Sequence, residues 1–515
     1  MESHGNELTA TNSRTHALQF TATAAEFNFK TNIISTHGVR YVNSGDAAIV
    51  PYNGDVTILE HAVIQHLDKA RVVAGRDNKY HELYNCSIDI VHAEEFRGHG
   101  DYDYIDMNKD VQVLHFDTLW YYEETKGHTK IPYDRDFKLS PHFAFDGRAE
   151  LHSNDQFLTF AGGVQMIHDC DSVSHARLRI IDQINPDRVL IRIDSKSKDV
   201  TDRKAVVAIA STNATGRIYT CFGAAKDQFN DSEYISAQGF IDFDEKTQMF
   251  RAASLEKLDD PELAENIITL SKTECISRGS GTIDMGAKLG RVEFSTLGTV
   301  VNYMKADSAE MSLTTAIDFF FNEQSMKIMS KHIDEASLDF IDPWEDADYE
   351  LALKTMLPEK DFEDYSYDVT LNGQAQKLPE KLRVKFLFAD ISFTWSKEGK
   401  AFVSQNRLPV VICNAKEINK EIPGSIVIEK RGSRNRLYLY FEIDKDFFFF
   451  QLENNSMYGY SSDTKFTDAI TATKVKKRML PPGDGKPAFT YKLGNRSQKN
   501  KFVKKFYVAP DEEEE

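Results

Sequence analysis

The stretch RGHGDYDYIDMNKDVQVLHF, residues 97–116, decides the fold class. Acids and tyrosines alternate from Asp101 to Tyr104, a polar run MNKD follows, and VQVLHF is apolar and β-branched. Successive side chains of a strand leave opposite faces, so alternation with period two is strand periodicity. The segment reads as strand, turn, strand. Tyr102 and Tyr104 then share a packed face, while Asp101 and Asp103 face water.

The same grammar extends in both directions. Upstream lie DVTILE (55–60), AVIQHL (62–67), ARVVAG (70–75) and CSIDIV (86–91). Downstream lie HFAFDGRAEL (142–151), FLTFAGGVQM (157–166), RVLIRID (188–194), AVVAIA (205–210) and RIYTCFGA (217–224). Gly, Asn and Asp cut these runs, as turns cut strands. FDGRA (145–149) resembles FAGGV (160–164), and the flavour recurs in AQGFIDF (237–243) and GTIDMGAKLGRVEF (281–294). The expected class is mainly β. Its short strands are stacked, either as rungs of a β-solenoid or as layered sheets built from hairpins.

Helical periodicity begins late. NEQSMKIMSKHI (322–333) places Met326, Met329 and Ile333 on one face, with Asn322 as cap. In DPWEDADYELALKTMLP (342–358), Asp342 is a cap and Pro343 fits the first turn. Glu345 would close a capping box, and Pro358 would stop the helix. The expected order is a flexible segment at 1–20, a β-rich region at 21–310 and a short helical connector at 311–380. A C-terminal antiparallel β domain at 381–480 and a tail at 481–515 follow. Within the β domain, residues 425–462 read as a meander with turns at Gly432–Asn435 and Asp444–Lys445. Leu437, Leu439 and Phe441 should face one way, and Tyr438, Tyr440 and Glu442 the other. LPPGDGKP (480–487) reads as a linker. The basic tail after it, ending DEEEE, reads as a solvated extension in which KKFYVA (504–509) is strand-like and able to dock on another subunit.

Composition narrows the classes. With 515 residues, about three domains are expected, and the core needs no disulfide or metal to form. The formal net charge of -18 argues against a nucleic-acid or anionic-membrane partner. The densest apolar run, DFFFFQL (446–452), is strand-sized, so no transmembrane segment is expected. The five cysteines, Cys86, Cys170, Cys221, Cys275 and Cys413, are odd in number and widely spaced, and are expected to be isolated buried thiols. The first twenty residues lack the apolar core of a signal peptide, which predicts a cytoplasmic chain or a piece of a longer secreted one. Sequons occur at Asn85, Asn213, Asn230, Asn454 and Asn495, and carry little weight as three-residue matches.

Four stretches invite a chemical reading. Gly98-His99-Gly100, with Arg192-Ile193-Asp194 far below it, echoes the Gly-His-Gly and Arg-Ile-Lys of polygalacturonase-type glycosidases. Glycoside hydrolysis needs two carboxylates across the scissile bond. That family's Asn-Thr-Asp and Asp-Asp motifs do not precede Gly98, and Asp194 stands where the lysine should. Asp101, Asp103 and Asp106 suggest a calcium loop, but Ile105, Asp106 and Gln112 break the EF-hand pattern. Asp101 and Asp103 remain the only metal candidates, as a surface calcium pair on one strand face. HDCDSVSH (168–175) contains His168, Cys170 and His175, and a soft metal site would need them to converge from a loop. His61 and His66, five apart, would lie on opposite strand faces. Trp120, Tyr121 and Tyr122 can stack on sugars or pack internally. HExxH, GxSxG and P-loop patterns are missing, Gly483–Lys486 lacking the P-loop spacing. No catalytic residue and no cofactor is assigned.

HELYNCSIDI (81–90), GDYDYID (100–106), FKLSPHFAFDG (137–147) and FLTFAGGVQMIHDC (157–170) together resemble segments of very large β-rich envelope proteins. Those proteins belong to bacteria with gliding motility or type 9 secretion. The resemblance spans residues 46–303 and more faintly the C-terminal β unit. It implies an extracytoplasmic place, in the periplasm or at the cell surface, and a chain normally longer and led by a signal peptide. It transfers no functional residues. The leading expectation is a non-enzymatic scaffold of a cell-envelope assembly, docking other envelope proteins through its β surfaces. One alternative is a carbohydrate-binding or carbohydrate-cleaving β-solenoid, which an acidic groove with stacked aromatics would distinguish. Another is a lipid or lipopolysaccharide conduit, which needs an open apolar groove.

Overall fold

A computed structural model describes residues 2–4, 7–11, 18–212, 216–431, 434–483 and 485–507. The chain is mainly β, as expected, and its sheets are overwhelmingly antiparallel. The first large sheet has eleven strands and curves as a half-barrel. It runs from Val42–Ser44 to Leu178–Gln183, almost every strand pairing with the next in sequence. The second has seventeen strands, from Ile191–Ile193 to Phe489–Leu493. A three-stranded sheet (Val206–Ser211, Ile218–Ala224 and Ser232–Ala237) packs near its start. Of the two expected forms, layered hairpin sheets are the one observed.

The stretch at 97–116 forms the hairpin its alternation predicts. Glu95–Ile105 pairs antiparallel with Val111–Tyr122, with Ile105 opposite Val111 and Tyr102 opposite Leu114. Tyr104 is buried and donates its hydroxyl to Leu139 O at 2.9 Å, and Tyr102 packs edge-on against Phe116. The Asp106 carboxylate closes the turn by accepting the N–H groups of Asn108 and Asp110. Gly98 and Gly100 sit inside the first strand, where a Cβ would strike Ser87 O and Cys86 Sγ. Their role is close strand approach.

The look-alike runs at 145–149 and 160–164 are neighbours in space. Phe145 pairs with Val164, Gly147 with Gly162 and Ala149 with Phe160. Gly147 has φ +149°, and a Cβ there would lie 2.4 Å from Ala161 O. The similarity therefore reflects two antiparallel partners shaped by one backbone approach, and is no repeat of successive rungs.

Asn322 caps Glu323–Glu335 through the Ser325 N–H, and Met326, Met329 and Ile333 are buried. The next expected helix differs. Asp342 caps only a short 3-10 turn, Pro343–Glu345, and Asp346 starts the α-helix Ala347–Met356. Pro358 ends that helix but begins another, Glu359–Asn372, which closes at Gly373. Proline suits the start of a helix as well as its stop, which is why the extra helix escaped the sequence reading. The helices are inserted between Ser308–Asp318 and Phe386–Ile391, which are adjacent strands of one sheet. Tyr349, Leu353, Leu357 and Tyr365 pack onto that sheet through Leu387, Val411 and Ile412.

The C-terminal meander has the expected register. Glu429 pairs with Arg436 and Ile443 with Asp446. Gly432 and Ser433 of the first turn lie outside the described residues. Leu437, Leu439 and Phe441 join the main core, while Tyr438 and Tyr440 form a second cluster on the other face. That second face is covered by the tail. Residues 504–506 of KKFYVA are not strand but the end of an α-helix, Arg496–Phe506. Its capping box joins Asn495 and Gln498, and Phe502 is buried against Tyr438, Tyr440 and Phe449. Four lysines interrupt the apolar pattern of this helix, whose Phe502, Val503 and Phe506, with Tyr507 after them, pack on the sheet, and this hides it in sequence. The segment at 480–487 is also held. Arg291 donates to the carbonyls of Pro481, Gly483, Lys486 and Pro487.

One apolar cluster runs from Phe20 to Tyr491 through both large sheets. Cys170 and Cys275 do not stay free thiols. They form a disulfide with Cα atoms 5.2 Å apart, tying the loop after Thr159–Met166 to the turn before Ile276–Ile283. The pairing is invisible in spacing because 105 residues separate the partners, and only the tertiary fold brings them together. Cys86, Cys221 and Cys413 are free and buried, as expected. The first residues fall partly outside the described ones. Glu7–Thr11 pairs with Glu2–His4 on one side and with Gln19–Ala22 on the other in a small sheet. Among the described residues, no helix is long and apolar enough to cross a membrane.

Candidate functional site

The exposed face of the half-barrel carries Asp101, Asp103 and His99 among the residues singled out by sequence. Asp101 and Asp103 share this face but are each engaged. Asp101 accepts from His115 Nδ1 at 2.7 Å and from Asn85 Nδ2 at 3.1 Å. Partial burial works against its carboxylate, yet these hydrogen bonds outweigh that cost and hold its pKa below the usual range. Asp103 accepts from the Tyr84 hydroxyl at 2.7 Å, and that bond pushes the phenol up to about 12. The His99 and His115 rings lie 5.4 Å apart. Among the described residues, no group of three or more His, Cys, Asp or Glu could hold a metal ion. The aspartate pair is thus built into a surface hydrogen-bond network.

His66 holds a constellation the sequence did not reveal. Its Nδ1 lies 2.6 Å from Asp89 Oδ1, and its Nε2 lies 2.6 Å from Ser87 Oγ. The Asp89 hydrogen bond raises the imidazole pKa. The atom order is that of a Ser-His-Asp relay. A relay also needs free backbone donors for the oxyanion. Ser87, however, is mid-strand, opposite His99, and its neighbours Cys86 and Ile88 pair with Ala70 and Leu67 on the other side. The sheet already uses that backbone, so the constellation orients a surface imidazole. The only sequence signal was the i, i+2 spacing of Ser87 and Asp89, which puts both on one face. His61 stands apart in a turn with φ +65°.

HDCDSVSH folds as a loop around the disulfide. The His168 and His175 rings stack at 4.3 Å, and His168 Nε2 is buried without a hydrogen-bond partner. Burial, with His175 beside it, pushes the His168 pKa down to about 4. With Cys170 bonded to Cys275, the sulfur is committed to a covalent link, and His168 serves packing.

The feature that best fits a binding surface is a cleft of about 430 Å³ lined by Tyr133, Asp134, Asp136, Asp146, Gln165 and Arg177, among others. Pro132 opens a 3-10 turn, Tyr133–Arg135, that lifts Tyr133 to 71% exposure, and Asp136 leaves it in a left-handed conformation. Arg177 anchors the cleft. Its Nη1 lies 2.7 Å from Asp146 Oδ1, and its guanidinium sits 5.0 Å from the Tyr133 ring centroid. An exposed aromatic ring beside carboxylates, an amide and a guanidinium is a surface that can stack on a flat apolar face and hydrogen-bond hydroxyls. YDRD (133–136) matches no motif, so the sequence gives no signal for this cleft. The aromatic run 120–122 instead divides: Tyr121 packs against Gly45, and Tyr122 lies under Lys126.

No family model, curated protein or solved structure matches this chain.

Proposed function

We propose that the chain is a non-enzymatic scaffolding component of a bacterial cell-envelope assembly. The observation that supports this reading is the buried Cys170–Cys275 disulfide, which staples the half-barrel to the second sheet across one continuous core. Structural disulfides persist in oxidising compartments, and a stapled two-sheet body suits a fixed spacer. Ile105, Val111 and Val113 form an exposed apolar tip on the hairpin at 95–122, a surface other envelope proteins could grip. A conduit for lipid or lipopolysaccharide would require the apolar face to open. Its residues, such as Val72, Ile88, Phe116 and Phe160, are covered by one another. The test is fractionation of the native cells with thiol counting. The chain is expected in the envelope fraction, cross-linked to other envelope proteins, with three free thiols after denaturation. Recovery as a lone monomer in the cytoplasm with five free thiols would overturn the proposal.

The cleft at Tyr133 favours a second reading, a surface-glycan contact. What supports it is the exposed Tyr133 ring beside Asp134, Asp136 and Asp146. On a glycan array, the wild type should bind specific oligosaccharides, and Tyr133→Ala should lose them at least tenfold. Equal binding by both proteins would remove this reading.

A further inference from the structure

Away from the half-barrel, five separate parts of the chain line a second cavity, of about 310 Å³. Its floor is Tyr234, on Ser232–Ala237, and its aromatic wall is Trp395 and Phe402, cross-strand partners whose rings meet edge-on at 4.8 Å. Lys430, Lys288 and Asn435 also line it, with the loop at Met285 and Gly286. Gly216, at φ +71°, lies so close to Trp395 that a Cβ would strike the indole nitrogen. The wall is therefore tightly fitted, and the volume lies at the lower end of small-molecule sites.

The polar groups of this cavity are specific. Lys430 Nζ donates to the carbonyls of Met285 and Gly286 and lies 5.5 Å from the Phe402 centroid. An ammonium has three N–H groups, and the two carbonyls use two of them. Asn435 Nδ2 donates to Gly286 O at 3.0 Å and helps fix the same loop. Burial lowers the Lys430 pKa to about 8, with Asp284 opposing and Lys288 assisting. The Tyr234 hydroxyl is buried, on a residue only 2% exposed, and the Ser211 side chain lies beside it without completing a hydrogen bond. An orphaned buried hydroxyl is costly in the empty protein. Among the described lining residues there are two cations and no carboxylate, in a chain of net charge -18.

We infer that this cavity binds a small organic carboxylate, its anionic group on Lys430 and Lys288 and its flat apolar part against Trp395 and Phe402, with Tyr234 completing the hydrogen bonds. A planar apolar body suits the aromatic wall, and the anion adds a charge-assisted partner for the third N–H of the buried ammonium.

The probe is benzoate, titrated into the full chain by calorimetry and by quenching of Trp395 fluorescence. Benzamide removes the charge and inorganic phosphate removes the ring. Benzoate should bind with Kd in the millimolar range or tighter, and both controls at least tenfold more weakly. Binding should fade as pH rises through about 8 and Lys430 loses its proton. Lys430→Gln should weaken benzoate at least tenfold. Because Lys430 also holds the loop, Tyr234→Phe is the second variant. It should raise the Tm of the unliganded protein and weaken benzoate at least threefold. Binding of benzamide as tight as benzoate, no calorimetric signal with benzoate, or unchanged affinity in Tyr234→Phe would each overturn the inference.

Discussion

At the scale of single residues, burial decides what a titratable group contributes. His168 is neutral in the folded chain because its site refuses a proton until pH falls to about 4. The unfolded chain accepts that proton near the ordinary value of about 6.5. Stability from this group is therefore complete above about pH 6.5 and drains away as pH falls toward about 4. Replacing His168 with Leu should flatten this part of the stability profile, measured as urea midpoints at pH 7, 6 and 5. A variant with the wild-type slope would show that another group titrates there. Residue roles were unevenly legible in sequence. Tyr102 and Tyr104 could be assigned to the packed face because strand alternation is local. The partners of His66 could not, because Ser87 and Asp89 lie more than twenty residues away and meet it only through the sheet register.

At the scale of elements, the C-terminal helix is the clearest dependency. It covers the outer face of the last meander through Phe502, and Lys505 reaches the buried Glu429 carboxylate at 2.7 Å. Glu429 also accepts from Arg431 and Tyr438, which together with Lys505 outweigh its burial and keep its pKa low. Phe502→Ala should cost about 3–5 kcal/mol, the usual penalty for emptying a buried aromatic site. Hydrogen exchange should then rise first in Arg436–Ile443 and Asp446–Glu453, and stay unchanged at residues 95–122. Uniform acceleration across both sheets would show that the helix is not a local cover. The meander beneath it was readable from period-two alternation, but that alternation gave no hint that the tyrosine face is buried too. A strand buried on both sides and a strand half in water differ only in what lies across from them, and here that is a helix supplied by the tail.

At the scale of the whole molecule, two large sheets share one core and one covalent tie. The Cys170–Cys275 bridge closes a loop of about a hundred residues, a link expected to stabilise by about 2–5 kcal/mol. Cys275→Ser should lower the denaturation midpoint accordingly under non-reducing conditions and leave the midpoint under reducing conditions unchanged. Equal midpoints for wild type and variant without reductant would mean the bridge adds nothing to stability. Fold class was legible in sequence because strand periodicity is repeated along most of the chain. The staple and the helix insertion were not, because each depends on which distant strands become neighbours.

The order of the strands has a kinetic consequence. Most strands in both large sheets pair with the strand just before or after them; the exceptions include Ile191–Ile193 with Gly239–Asp244, Phe386–Ile391 with Arg407–Cys413, and the parallel pairing of Ser456–Ser461 with Phe489–Leu493. Contacts between sequence neighbours close short loops at low entropic cost, so such a sheet can grow one strand at a time as the chain emerges from a ribosome or a translocation channel. The half-barrel would be complete before the residues of the second sheet arrive, and the disulfide would lock the two together only once Cys275 has followed. A chain built this way exposes one growing edge at any moment, and Phe489–Leu493 ends that growth by pairing with both Ser456–Ser461 and Met479–Leu480.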